Sequence, residues 1–241
     1  MIGIIVNVIS VAVGGVCGTL FGHKMSQAFT EKLTCVFGVC AMGMGISSII
    51  LMENMPAVIL AIVVGTALGL ALHVGDWIVQ GASLLQKPIA RVLGQGAVGM
   101  SQDEFLSLLV TAIVLFCASG TGIYGSLDAG MTGEATILLS KSVLDFFTAI
   151  VFACSLGAVV SVVAVPQAVI FLALFLMAKV IFPLTTPVMI ADFKACGGFL
   201  LIATGLRMAK IRDFPIADMI PAMVLVMPVS GVWVRFLAPL F

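Results

Sequence analysis

Residues 136–147 read TILLSKSVLDFF. An amine, Lys141, and a carboxylate, Asp145, stand four positions apart in a run that is otherwise apolar or hydroxylic. What they can do there depends on the solvent around the segment. The chain has 241 residues, of which 62% are hydrophobic and only 9% charged, and its mean hydropathy is +1.29. A soluble domain carries roughly a quarter charged residues, so this chain could not solvate a globular surface. Its charges fall between apolar runs of about 20 residues, the length of a helix that crosses a bilayer. The reading is an all-α polytopic membrane protein. Net charge is zero, which gives no electrostatic basis for binding nucleic acid.

Eight apolar segments can be marked, at 2–22, 33–52, 55–79, 105–125, 135–163, 166–183, 188–209 and 216–238. The expectation is about eight membrane helices, or seven if one segment does not cross. The first segment has no basic leader and no clear cleavage site, so it is expected to be a span. A break at Pro166 is expected to separate the fifth and sixth segments. The stretch 80–104 is read either as a connecting loop or as an interfacial helix holding Lys87 and Arg91 among lipid headgroups. Basic residues follow the first, third and seventh segments (Lys24, Lys32, Lys87, Arg91, Arg207, Lys210, Arg212), while EN and LDAGMTGE have no Lys or Arg. The Lys/Arg bias puts the N-terminus outside, Lys24, Arg91 and Arg212 in the cytoplasm, and Asn54 and Asp128 outside.

A weak internal repeat relates 38–62 to 198–222. Gly38 matches Gly198, Gly45 matches Gly205, and Pro56 matches Pro215 after one gap. With one flanking span each, the plan is a single integral membrane domain. It has a first repeat at 1–79, central helices at 105–163 and a second, inverted repeat at 166–238. Inverted repeats are common in secondary transporters. Any two Gly/Pro helical hairpins look alike at this level, so a chance match stays open.

Gly14, Gly18 and Gly22 recur every four residues, as do Gly65 and Gly69. Such positions let helix backbones approach closely, either within the chain or in a homo-oligomer. Asn7, Ser10 and Gly14 share one helix face. The Asn7 amide needs partners in a dry layer, so that face is expected to point into protein.

Lys141 and Asp145 lie one turn apart on one face and can pair. Thr148 continues the stripe, which is expected to face the bundle interior or a watery cavity rather than lipid. The preceding stretch has Gly at 120, 122, 125, 130 and 133. That density disfavours regular helix, so the expectation is a span that unwinds around Ser119–Gly122 and a glycine-rich hairpin. Irregular backbone at membrane depth is tolerated only where it is buried or lines a cavity. The candidate substrate-binding residues are therefore Lys141, Asp145, Asn7, Gly120, Thr121, Gly122, Ser126 and Thr148, with Tyr124 and Asp128 nearby. Asp192 and Lys194 stand two apart and cannot pair with each other on a helix. They and Lys179 rank below Lys141 and Asp145.

The six cysteines form no CxxC pair, and the two histidines are far apart. Small buried thiols are expected, with no metal and no cofactor. There is no HExxH, no GxSxG with a His, no Walker A motif and no dinucleotide fingerprint, so an enzyme is not expected.

Four stretches carry a family resemblance: GIIVNVISVAVGGVCGTLFG (3–22), YGSLDAGMTGE (124–134), ILLSKSVLDFFTAIVFACSLG (137–157) and GGFLLIATGLRMAKIRDFPIADMIPAMVL (197–225). On these the chain resembles, over nearly its whole length, the bacterial membrane family catalogued as domain of unknown function 554, the YqgA/YdfK-type proteins. Similar proteins place a Gly-Ser-x-x-x-Gly-x-x-Gly loop before a Lys-Ser-x-x-Asp helix. Here those positions are Gly125, Ser126, Gly130, Gly133, Lys141, Ser142 and Asp145. The family's Gly-Pro before the loop is replaced by glycines alone. The resemblance implies a bacterial inner-membrane protein, with transport of a small solute or ion as the presumed role. A non-transporting scaffold that assembles through its glycine faces is the other reading.

Overall fold

In the structure, a computed structural model, residues 1–21, 26–93 and 101–238 are described. Ten α-helices are found among them: α1 (Ile2–Phe21), α2 (Gln27–Ile49), α3 (Met55–Ala71), α4 (Val74–Leu93), α5 (Gln102–Cys117), α6 (Gly120–Thr132), α7 (Thr136–Leu156), α8 (Val159–Ile181), α9 (Pro187–Met208) and α10 (Ile216–Val232). No strand occurs among the described residues. Seven helical segments are long and apolar enough to cross a membrane, or eight if the bent pair α3–α4 is one span; α5 and α6 together form one of the seven. The protein is therefore a polytopic helical membrane protein. Lys24 lies outside the described residues, as do the side chains of Lys87 and Arg91.

Contacts sort the chain into two compact units, Met1–Thr34 with Trp77–Ala178, and Cys35–Asp76 with Lys179–Phe241. In the first unit α1 runs alongside α7. Gly3 faces Ala135 and Leu138, Gly14 faces Phe146 and Ala149, and Gly18 faces Ile150 and Ala153. The numbers rise together, so the two helices are parallel. The absence of side chains at these glycines brings the backbones into contact, which is how helices gain packing energy where lipid offers no hydrophobic drive. The opposite face of α1 carries Ile5, Ile9, Val13, Val16 and Leu20, all exposed, as a lipid-facing stripe should be.

Three boundaries differ from the sequence expectation. The expected break at Pro166 does not occur. Helix α8 runs through Pro166, and the chain turns instead at Gly157, whose φ of 69° and ψ of −157° suit glycine alone. The glycine-rich stretch after Cys117 is not a hairpin. The helix is interrupted at Ala118–Ser119, then resumes as α6, with the Ser119 side chain accepting from the Gly122 amide and Gly133 closing the helix at φ 80°. Burial overrides glycine's poor helix propensity there, since in a dry layer the backbone must satisfy itself. Tyr124 and Asp128, read as part of the glycine-rich stretch with Asp128 outside, are buried in α6. Finally, the expected segment 55–79 breaks at Leu72–His73, where His73 takes φ 54°, and α4 runs on through Pro88, so that of the two readings of 80–104 the described part, 80–93, is helix.

In the second unit α2 crosses α9 and α3 crosses α10, both antiparallel. A Cβ on Gly38 would fall 2.5 Å from the Gly205 carbonyl oxygen, and one on Gly205 would fall 2.5 Å from that of Gly38. Gly45 and Gly198 face each other in the same reciprocal way at 2.6 Å. Gly65 abuts Ala222, and Gly69 abuts the Asp218 backbone. Asp192, wholly buried on α9, accepts from the Glu53 amide (3.0 Å), the Asn54 amide (2.8 Å), the Asn54 side chain (3.0 Å) and Ser230 Oγ (2.6 Å). These donors tie the α2–α3 turn to α9 and α10. Cys117 and Cys196 are buried, but Cys40 is exposed and the other three cysteines are half-buried, so the expectation of buried thiols holds for two of six.

Gly45→Val and Gly198→Val should each lower the unfolding midpoint in detergent, by an amount equivalent to about 1–3 kcal/mol of overpacking. Gly43, which faces open space, is the control, and Gly43→Ala should leave the midpoint unchanged or slightly raised. Thermal scanning by size-exclusion chromatography reads all three. Equal midpoints for the three variants would contradict the α2–α9 contact.

Candidate functional site

Thr136–Leu156 forms one uninterrupted helix, so Lys141 and Asp145 fall on one face, a turn apart. Both are buried, at 3% and 6% exposure. The ammonium reaches both carboxylate oxygens, at 2.7 Å and 2.6 Å, and the Phe171 ring on α8 lies 6.0 Å from it, at the outer range of a cation–π contact. Charges this far from water persist only when paired and hydrogen-bonded.

Two amides complete the pairing. Asn7 on α1 donates to Asp145 Oδ2 at 3.0 Å. Gln167 on α8 donates to the same oxygen at 3.3 Å, to Asn7 Oδ1 at 2.8 Å and to the Phe116 carbonyl on α5 at 3.2 Å. Three helices of one unit thus converge on a single carboxylate, and a fourth, α5, holds Gln167 in place. The three acceptors around the Gln167 nitrogen fix the amide's orientation, because a flip would set oxygen against oxygen. Its other atom, Oε1, is buried and has no hydrogen-bond donor among the described residues.

Helix α6 forms a further wall. A Cβ on Gly122 would collide with the Phe171 ring and come 3.1 Å from Lys141 Cε. Glycine is needed there for close approach, not for loop formation. The parallel run of α1 along α7 is what carries Asn7 to Asp145.

Of the sequence-read residues, Lys141, Asp145 and Asn7 come together as expected, and Gly122 packs beside them. Gly120, Thr121 and Ser126 are buried within α6 as helical residues, not as exposed loop groups; among the described residues Ser126 Oγ has no hydrogen-bond partner. Thr148 is buried one turn beyond Asp145, outside the hydrogen-bonded set. Sequence reading missed Gln167. Yet Asn7 and Gln167 stand 160 positions apart, the same spacing that matches Gly38 to Gly198 and Gly45 to Gly205. Among the described residues no group of three or more His, Cys, Asp or Glu could hold a metal.

Removing one member of a buried ion pair costs about 3–5 kcal/mol, whereas replacing both by apolar groups can be nearly neutral. Lys141→Met and Asp145→Leu should therefore each lower the unfolding midpoint or the folded yield, and the double variant should recover most of the loss. Wild-type stability in both single variants would mean the charges are solvated, contrary to this geometry.

The family model described as Protein of unknown function (DUF554) matches residues 2–231. The chain is 41% identical over 242 residues to the uncharacterized protein YqgA of Escherichia coli (strain K12), covering 99% of this chain and 100% of that one. It is 25% identical over 234 residues to the uncharacterized membrane protein YdfK of Bacillus subtilis (strain 168), covering 93% of each. No solved structure matches it. The length of the match and the identity to YqgA place the chain plainly in this family of membrane proteins of unknown function.

Proposed function

We propose that the protein is a multi-pass carrier or channel of the bacterial cytoplasmic membrane for a small polar solute or ion, with its binding site at Lys141, Asp145, Asn7 and Gln167. The observation that carries this reading is a fully buried ion pair, braced by amides from two other helices, inside apolar membrane helices. Ionisable groups are expensive at that depth and most often mark solute or ion pathways. The interrupted α5–α6 span beside the pair supports the same reading, because broken helices at binding sites recur in transporters. So does the repeat. The reciprocal approach of Gly38 to Gly205 and of Gly45 to Gly198 is what an inverted pair of related helices would give at a local two-fold. Asn7 meeting Gln167 fits the same relation.

The scaffold reading has less support. Gly14, Gly18, Gly38, Gly45, Gly65 and Gly69 all pack against helices of the same chain, so these faces are already used. Lipid has its own surface: an apolar groove of about 250 Å³ between α1 and α8, lined by residues such as Ile5, Ile9 and Leu172, suits an acyl chain. No enzymatic step is proposed.

The test is transport by the purified protein in vesicles, read as solute counterflow and as currents on a solid-supported membrane. The panel is amino acids, organic acids and inorganic ions. At least one should permeate, and the Lys141→Met/Asp145→Leu double variant should fold and reconstitute but lose that flux. Flux that survives the double variant would remove the site. No flux for any solute would remove the carrier reading.

A further inference from the structure

Resting on the carrier reading, we propose that the site takes a small zwitterion, a molecule with an ammonium and a carboxylate on the same or adjacent carbons, as in an α-amino acid. Lys141 would receive the carboxylate, and Asp145 with Gln167 Oε1 would receive the ammonium.

The first ground is charge balance. The buried cluster is neutral as it stands, because Lys141 and Asp145 cancel and the Asn7, Gln167 and Phe116 groups around them carry no charge. A lone anion drawn to Lys141 would strip Asp145 of its counter-ion in a medium that screens poorly. A lone cation drawn to Asp145 would strip Lys141 in the same way. A zwitterion exchanges one internal pair for two pairs with the ligand. Each protein charge keeps an opposite charge beside it, and the total stays at zero. The exchange requires no proton and no covalent step.

The second ground is the orphan acceptor. Gln167 is fully buried, its nitrogen is held by three acceptors, and its Oε1 has no donor among the described residues. A buried acceptor without a donor is costly and calls for one. Halides, carboxylates and other simple anions bring no donor. An ammonium brings three, enough to serve both Asp145 and Gln167. The acceptor and the carboxylate belong to one hydrogen-bonded set, since Gln167 itself bonds Asp145 Oδ2. The ammonium class therefore follows from the oxygen left over, and the carboxylate class follows from the lysine that must be kept paired.

The experiment compares matched ligands on the detergent-purified full chain, by thermal shift and equilibrium dialysis. The panel contains the standard amino acids and, for each binder, its deaminated and its decarboxylated analogue; for alanine these are propionate and ethylamine. At least one amino acid should bind, with both analogues at least about tenfold weaker, since losing one charged hydrogen-bonding group costs about that much. Binding should vanish in the folded Lys141→Met/Asp145→Leu variant. Propionate-type anions or simple amines binding as well as the zwitterion would overturn the class while leaving a carrier. Inorganic ions permeating vesicles with no amino acid bound would do the same. Amino-acid binding that persists in the double variant would place the ligand elsewhere and sink the assignment. If nothing bound and nothing permeated, this inference and the carrier reading would fall together, and Gln167 Oε1 would be a site for a buried water.

Discussion

The first compact unit is organised around one ion pair buried away from its surface. Lys141 and Asp145 gain from each other only if the carboxylate's remaining lone pairs are also satisfied, because desolvating two charges otherwise outweighs their attraction. That requirement fixes which helix faces must meet. Asn7 has to arrive from α1, which explains why α1 lies parallel to α7 with glycines at the contact. Gln167 has to arrive from α8, and the Phe116 carbonyl holds it from α5. Gly122 leaves room on α6 for the lysine stem and the Phe171 ring.

The second unit solves a related problem differently. Asp192 is as deeply buried as any described residue, and its carboxylate accepts from two backbone amides, a side-chain amide and a hydroxyl. Three of those donors, from Glu53 and Asn54, sit at the start of α3, where a helix N-terminus favours negative charge. All four donors hold the carboxylate, and it links three helices. Such a carboxylate serves as a fastener. The Lys141–Asp145 cluster differs in that its carboxylate is paired with a cation and that, among the described residues, the neighbouring Gln167 Oε1 has no donor.

Much of this was legible in the sequence, for physical reasons. A lysine and an aspartate four apart in an apolar run can hardly face lipid, so their pairing and burial could be read directly. Asn7 was readable because an amide in a dry layer must find partners. Glycines at four-residue spacing announced close helix contacts, though not which helix each would meet. The breaks were harder. Pro166 looked like a terminator, but a proline inside a long apolar helix loses only one backbone bond and is held by its neighbours, while Gly157 could take a backbone conformation closed to other residues. The glycine-rich stretch looked like a loop because propensity scales assume water as the alternative solvent. Inside the bundle that alternative is missing, and α6 forms. Gln167 was hidden beside the misread proline.

The central claim is that Lys141 is sealed in the protein as one half of this pair. Its reactivity measures that directly. Native protein in detergent micelles can be treated with an amine-reactive acylating reagent and the extent of modification at each lysine followed by mass spectrometry. Lys210, exposed in the structure, supplies the reference. The account predicts that Lys141 stays essentially unmodified while Lys210 is acylated, and that unfolding the protein makes the two equal. Modification of Lys141 at the rate of Lys210 in the folded protein would contradict it.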